Sequence, residues 1–473
     1  MTKYRLFITL GLLWFFLSAA QAQEWLKAGP YLQELSEDGV TIVFENTIKP
    51  FSWVELRKPG STSVTKYYDD RDGQHQIYSE VIAPQQAAPL QNFTIRVDGL
   101  QPATQYEYRV CTQLVNWVQP YSASVGDVYE GDWYTFTTLD PNATEHHLLV
   151  VSDMHCRPDV LEQTLVALDY QSANHIIYAG DMMNNMQIQD NTVMAPEEPY
   201  ASFVNKSVEL FAHNQDFTIL RGEGETRGDI SRFFRQYFPH CSGKLYNAYR
   251  WGDLMVVVLD GGESKADGDP MADVTNLGMF KPYREEQARW LAQLIETEAY
   301  RTAKYRIVFS HFPVTNETLG EDEAGAAHFA QVMLPVLNRG NVDLLVAGHR
   351  HPEEPTLISK GSKGNEFPVL IQGHNFGARI DIVDEKISIT TAGGTVQTRV
   401  KSLKRYSGNC YHLSTRGEDC LRSLPLPLCA LPTAPKQCGG RCSALQGRFQ
   451  CTAGRVSVHC RKGFSALRLR RLK

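Results

Sequence analysis

Cysteine is scarce where a covalent framework would need it. Across residues 23–402 of the 473-residue chain it occurs only as Cys111, Cys156 and Cys241. That odd number means the body does not rest on disulfides, although a Cys156 to Cys241 bridge stays open. Long apolar runs are missing too: beyond residues 6–17 no uncharged stretch approaches the ~18 residues of a membrane span. Cations are not in excess. With 47 Lys+Arg against 53 Asp+Glu, a net charge of -6 and a pI near 6.2, there is no nucleic-acid-binding signature. Charged residues reach only 21% against 42% hydrophobic, which excludes a wholly disordered chain. At about 150 residues per domain the length allows two or three domains. The average hides an asymmetry: the last 71 residues, 403–473, hold 14 Lys+Arg, 2 Asp+Glu and 7 of the 10 cysteines, a +12 tail beside a -18 body.

Lys3 and Arg5 precede the apolar residues 6–17, and Ala20-Gln21-Ala22 then places small residues around one position. This is the pattern of a cleavable secretory signal peptide over 1–22, and it predicts a secreted or periplasmic protein with no membrane span after cleavage. Residues 24–140 carry short alternating segments such as Val40-Thr41-Ile42-Val43-Phe44 and Phe93-Thr94-Ile95-Arg96-Val97, which read as an all-β sandwich. The segment from Leu100 to Val110 is similar to the loop-to-strand corner of a fibronectin type III domain. Tyr106 would be the corner tyrosine, its hydroxyl tying the strand to the loop. A sandwich of another topology stays open.

After Pro141 the texture changes to continuous apolar runs at 148–151, 176–179, 217–220, 255–259, 307–309 and 344–347, with helical spacing between them, as over 283–295. Buried strands alternating with helices predict an α/β, layered domain over 145–400. Five runs end in metal-ligand residue types: Asp153-Met154-His155, Gly180-Asp181, Arg221-Gly222-Glu223, Ser310-His311, and Gly348-His349-Arg350-His351. Loops beyond strand ends converge on one crevice in open sheets. In an extended segment alternate side chains point the same way, so Asp153 with His155, and His349 with His351, can each grip one ion. With 35 Gly and 14 His, chance predicts about 0.03 occurrences of Gly-His-x-His, so this motif is specific.

At these residues the chain resembles the calcineurin-like metallophosphoesterase superfamily, and with the preceding sandwich it looks like the purple acid phosphatase branch. Ala28-Gly29-Pro30-Tyr31-Leu32-Gln33 and Gln287-Ala288-Arg289-Trp290-Leu291 fit that branch. The resemblance implies a central mixed β-sandwich flanked by helices and a phosphoric ester hydrolase with two divalent or trivalent ions, Zn, Mn or Fe. Asp153, His155 and His351 would hold the first ion, Asp181 would bridge, and His311 with His349 would hold the second. A bridging hydroxide would attack phosphorus in line with the leaving alcohol, the substrate being a small-molecule or protein phosphate ester. Catalytic roles fall on Asp181, His311, Glu223 and Arg221.

Two departures stand out. Asn184 occupies the place of the tyrosine that colours purple acid phosphatases, which argues against a purple iron centre. Gly222-Glu223-Gly224-Glu225 stands where the family has Gly-Asn-His-Glu. Glu223 remains an oxygen ligand in place of Asn, but Gly224 removes an imidazole that would contact the phosphate, and losing such assistance costs roughly 100- to 10,000-fold. The expectation is retained metal binding with weakened turnover; the alternative is a secreted binding protein on a catalytically inactive phosphoesterase fold. Arg221, Glu225 or Arg227 could substitute for the missing histidine, but each reads more readily as a loop salt-bridge residue, and the segment around Asp260 and Glu263 as a glycine-rich turn with solvated acids. The tail, 403–473, reads as a poorly structured extension.

Overall fold

The computed structural model describes residues 25–47, 50–71, 73–75, 92–188, 197–269, 277–393, 396–406, 410–414, 450–452 and 455–457. The signal-peptide expectation lies outside them. The chain divides into two compact units, Met1–Asp419 and Cys420–Lys473. In the second unit the described residues are a short antiparallel pair, Gln450–Thr452 with Arg455–Ser457.

The first unit opens with antiparallel strands: β1 (Leu26–Gln33), β2 (Gly39–Asn46), β3 (Pro50–Arg57), β4 (Thr65–Tyr68), the short β5 (Asp70–Arg71) and β6 (Gln74–His75), β7 (Asn92–Asp98), β8 (Gln105–Gln119), β9 (Ser122–Glu130) and β10 (Tyr134–Thr137). One sheet runs β1-β2-β7 and the other β10-β8-β3-β4, with β9 extending from β8. Alternation in these segments turns one side of each strand inward. Ile42 and Phe44 of β2 and Ile95 of β7 thus share a buried cluster with Val54 and Leu56 of β3 and Tyr108 of β8. The Gln101 backbone N–H donates to the Tyr106 hydroxyl at 3.0 Å, the loop-to-strand tie expected from the sequence.

Residues beyond 145 form two larger mixed sheets. The first strands are β11 (His146–Val151), β12 (His175–Ala179), β13 (Phe217–Leu220), β14 (Asn247–Trp251), β15 (Leu254–Leu259), β16 (Tyr305–Ser310) and β17 (Leu344–Ala347). They continue with β18 (Thr356–Ile358), β19 (Val369–Ile371), β20 (Gly377–Val383), β21 (Lys386–Gly393), β22 (Val396–Tyr406) and β23 (Cys410–Ser414). A seven-stranded sheet is ordered β13-β12-β11-β20-β21-β22-β23 and a six-stranded one β14-β15-β16-β17-β19-β18. Within each, the site-bearing strands are parallel: β11, β12 and β13 in the first, and β15, β16, β17 and β19 in the second. Every apolar run read from the sequence is one of these strands. Each is buried on both faces, so its sequence is continuous rather than alternating. Val150, Ile177 and Ile380 of one sheet and Val256, Ile307 and Val346 of the other meet in a single cluster.

The helix Phe280–Leu294 covers the second sheet with Leu291 and buries two polar residues beside it, Arg284 and Gln287. Gln287 is tolerated there because its amide closes both backbone groups of Asp260: Asp260 N–H donates to Oε1 at 2.8 Å, and Nε2 donates to the Asp260 carbonyl at 2.7 Å. None of the helices among the described residues is long and apolar enough to cross a membrane.

The β-strand domain is bonded to the sheets that follow it. The Tyr31 hydroxyl donates to Tyr237 O at 2.7 Å, Gln33 Nε2 to Phe217 O at 2.9 Å, and Tyr108 to His213 O at 2.8 Å. Leu35 N–H donates to Asp216 Oδ2 at 3.1 Å, and Tyr134 stacks on His213 with centroids 4.1 Å apart. Two expectations need correction. Cys156 and Cys241 are both free; the Cys156 thiol instead lies 3.1 Å from Glu197 Oε2. Strand β22 also runs through Leu403, where the tail was expected to begin. Its partners β21 and β23 supply the backbone ladder on either side, so this order needs no periodic apolar pattern.

Candidate metal centre

Parallel strands deliver their following residues to the same edge of a sheet, and both large sheets do so on one crevice. Asp153 and His155 follow β11, Asp181 follows β12, Glu223 follows β13, His311 follows β16, and His349 and His351 follow β17. Donor atoms of Asp153, His155 and Asp181 lie within 4.8 Å of one another, as do those of Glu223, His311 and His349. The seven metal-ligand residues expected from the sequence therefore gather in two adjoining groups. His351 Nε2 stands 2.9 Å from Asp153 Oδ1 and 3.3 Å from His155 Nε2, completing the first. Asp181 reaches both: Oδ2 is 3.6 Å from His311 Nε2, while Oδ1 accepts the Gly224 N–H at 2.8 Å.

In the second group His311 Nδ1 lies 2.9 Å from Ala179 O, an acceptor only, so Nδ1 carries the proton and Nε2 faces inward. That Nε2 is buried and makes no hydrogen bond, although Glu223 Oε2 is 3.0 Å away. His349 Nδ1 is 3.0 Å from Glu223 Oε1. Burial alone would lower the pKa of His311, but Asp181 and Glu223 hold it well above the ordinary imidazole value. Burial would raise Glu223, yet His311 and His349 hold it well below the usual carboxylate range. These groups thus compete for a positive charge between them, and an orphaned inward nitrogen beside carboxylate oxygens is a donor set that could hold a metal ion. The residues present fit such an ion.

Backbone geometry concentrates on the same loops. Asp153, His155, Asp181, His349 and His351 all adopt positive φ, between 42° and 70°. Left-handed backbone at non-glycine residues costs on the order of 1 kcal/mol each and persists where surrounding bonds over-determine it. Here His155 N–H donates to Asp181 O at 3.0 Å and Gly348 N–H to His311 O at 3.0 Å.

Gly224 is explained by contact rather than by dihedral. A Cβ there would lie 2.3 Å from Met183 O, so the loop after Asp181 fills the space that an imidazole would use, and a histidine cannot simply be restored.

Arg221 and Arg227 form loop salt bridges, as the sequence reading favoured, whereas the acids depart from expectation. Arg221, also named as a catalytic candidate, places Nε and Nη2 on Asp260 Oδ2 at 3.0 and 2.7 Å in an ion pair. Arg227 holds Glu263 at 2.7 Å. Asp260 and Glu263 are fully buried, not solvated, because those arginines and the Tyr283 hydroxyl, 2.9 Å from Asp260, replace water. Glu225, by contrast, is no salt-bridge residue: it is buried and accepts the backbone N–H groups of Asp181, Met183 and Gly222 at 2.9, 3.1 and 2.7 Å. Burial, then Asp181, pushes its pKa up to about 7.

His374 went unread in the sequence. It follows β19 by the same rule, an apolar run leading into Gly373-His374, and its donor atom groups with those of His155 and His351. The apolar run was the available signal; the missing second histidine hid it.

Residues 146–353 match the family model for calcineurin-like phosphoesterases. No curated protein matches the chain. Among solved structures, TT1561 of Thermus thermophilus is 15% identical with a TM-score of 0.33, covering 53% of this chain and 99% of its own. Yfce, a phosphoesterase from E. coli, is 12% identical with a TM-score of 0.24, covering 51% and 91%. The sensor domain of the anti-sigma factor RsgI4 from Pseudobacteroides cellulosolvens is 12% identical with a TM-score of 0.15, covering 24% and 87%. All three likenesses are weak, and the assignment rests on the family match. Residues 146–353 are thus a calcineurin-like metallophosphoesterase domain.

Proposed function

We propose that the chain is a secreted or periplasmic hydrolase of phosphate esters working through a dinuclear metal centre. The observation that carries this reading is the convergence of Asp153, His155, Asp181, Glu223, His311, His349 and His351, drawn from five strand ends, into two adjoining donor groups. Asp153, His155 and His351 would hold one ion, Glu223, His311 and His349 the other, and Asp181 would touch both. Bound ions would supply Lewis-acid polarisation of the phosphoryl group and an acidified water. The chain's own part is orientation. The Ala179 carbonyl fixes the His311 tautomer, Gly224 N–H fixes Asp181 Oδ1, and Glu225 ties the turn carrying Asp181 to the one carrying Gly222.

No side chain at Gly224 hands a proton to the leaving group, so activated aryl esters should be cleaved far better than alkyl esters. The tyrosine tie at Tyr106 supports a fibronectin type III-like reading of the first domain, and with it the purple acid phosphatase-like branch. The competing reading, a metal- or ligand-binding protein without turnover, is favoured by the same Gly224. A panel of phosphate mono- and diesters, assayed with Mn or Zn and again with chelator, tests the proposal: chelator-sensitive hydrolysis supports it. Metal uptake with no turnover on any ester would select the binding protein.

A further inference from the structure

Four arginines surround the donor groups, and three are neutralised by carboxylates: Arg221 by Asp260 and Arg227 by Glu263, each at 2.7 Å, and Arg350 by Glu323 at 3.4 Å. Arg157 differs. It is half-buried, two residues beyond His155, and its contacts among the described residues are all to neutral acceptors. Nε donates to Met154 O at 2.7 Å, Nη2 to Asp153 O at 2.9 Å, and Nη1 to His374 Nε2 at 2.8 Å. Nη2 also reaches His374 Nδ1 at 3.5 Å, so these contacts use four of the five N–H groups of the guanidinium and leave one, with no carboxylate in ion-pair contact among the described residues. The anchors also aim it: the Met154 and Asp153 carbonyls hold one edge, and His374 holds the other.

His374 is itself part of the site wall. Its ring centroid lies 4.8 Å from that of His351 and 5.7 Å from that of His155. Its Nε2 lone pair is taken by Arg157, so it braces the arginine. A half-buried cation with no carboxylate in ion-pair contact among the described residues, held beside two metal-ligand histidines, is a site for an anion. Gly224, whose N–H lies on Asp181 Oδ1, offers no side chain to serve the phosphate.

We infer that Arg157, braced by His374, is the phosphoryl-binding residue of this centre, and that it takes over, from the His155–His351 side, the substrate contact absent at Gly224. The inference rests on the phosphoesterase reading and assigns His374 as a positioning residue.

The test is calorimetric titration of inorganic phosphate into the Mn-loaded full chain, with Mn stoichiometry and aryl phosphate kinetics measured in parallel. Arg157→Ala should weaken phosphate binding about 10- to 100-fold at unchanged Mn stoichiometry, with Arg157→Lys recovering part of the loss. His374→Ala should raise KM severalfold with little change in kcat. Unchanged phosphate affinity in Arg157→Ala, or loss of bound Mn in His374→Ala, would overturn the assignment while leaving the phosphoesterase reading intact. Wild-type protein that neither takes up Mn nor hydrolyses any ester would sink both. If Arg157→Ala does not fold, the KM shift in His374→Ala decides the matter.

Discussion

At His311 a single bond decides the chemistry: donation from Nδ1 to Ala179 O turns Nε2 inward, where Glu223 waits 3.0 Å away. Replacing Glu223 by Gln keeps the shape and one oxygen but removes the charge. Mn titration should then show one of two sites weakened about 10- to 100-fold, with hydrolysis falling in step. Gly224 gives a second residue-scale expectation. Because its Cβ would meet Met183 O at 2.3 Å, Gly224→Ala should lower stability by about 1–3 kcal/mol, read as a drop in Tm.

These residues also mark what the sequence could tell. The metal-ligand residues were legible because each stands directly after a continuous apolar run, where residue type and position are both local facts. The environments of Asp260, Glu263 and Glu225 were not, because burial of an acid is decided by partners such as Arg221, Arg227 and the N–H of Asp181, far away in the chain. Nor could spacing show that the loop at Met183 and Asn184 closes over Gly224.

At the scale of elements, the helix Phe280–Leu294 shows how a polar residue earns a buried place. Gln287 reads as one more polar residue in a helical repeat, yet it caps the end of β15 by satisfying both backbone groups of Asp260. Gln287→Ala should leave an N–H and a carbonyl buried and unpaired, at about 1–3 kcal/mol each. Urea unfolding should therefore show a loss well beyond that of an Ala change at exposed Lys281 on the same helix. The strands themselves were readable to within a residue or two, since runs buried on both faces admit little else. The polar, cation-rich segment at β22 was not, because its place depends on the ladder offered by β21.

At the scale of the whole molecule, Asp216 lies where the first domain meets the second, accepting the Leu35 N–H. Burial pushes its pKa up from 3.8 to about 7. The folded state therefore holds a proton that the unfolded state releases. This contribution to stability is complete below about pH 4 and is lost as pH rises through about 7. Asp216→Asn keeps an acceptor for Leu35 and removes the titration. Its Tm should match wild type below about pH 4, begin to exceed it by pH 5, and exceed it by several degrees at pH 8, and identical pH profiles would refute the assignment.

The sheet order adds a mechanical consequence. Asp153, His155, Asp181 and Glu223 belong to the seven-stranded sheet, whereas His311, His349 and His351 belong to the six-stranded one. All three acids sit on one side of that seam and all but one of the imidazoles on the other. Each ion, gripped from both sides, would act as a rivet through two plates whose greased faces are otherwise joined by apolar contact and a few hydrogen bonds, such as Gln372 Nε2 to Val150 O at 2.9 Å. Loading the protein should then stiffen the seam against sliding, and chelation should free the plates before either one frays.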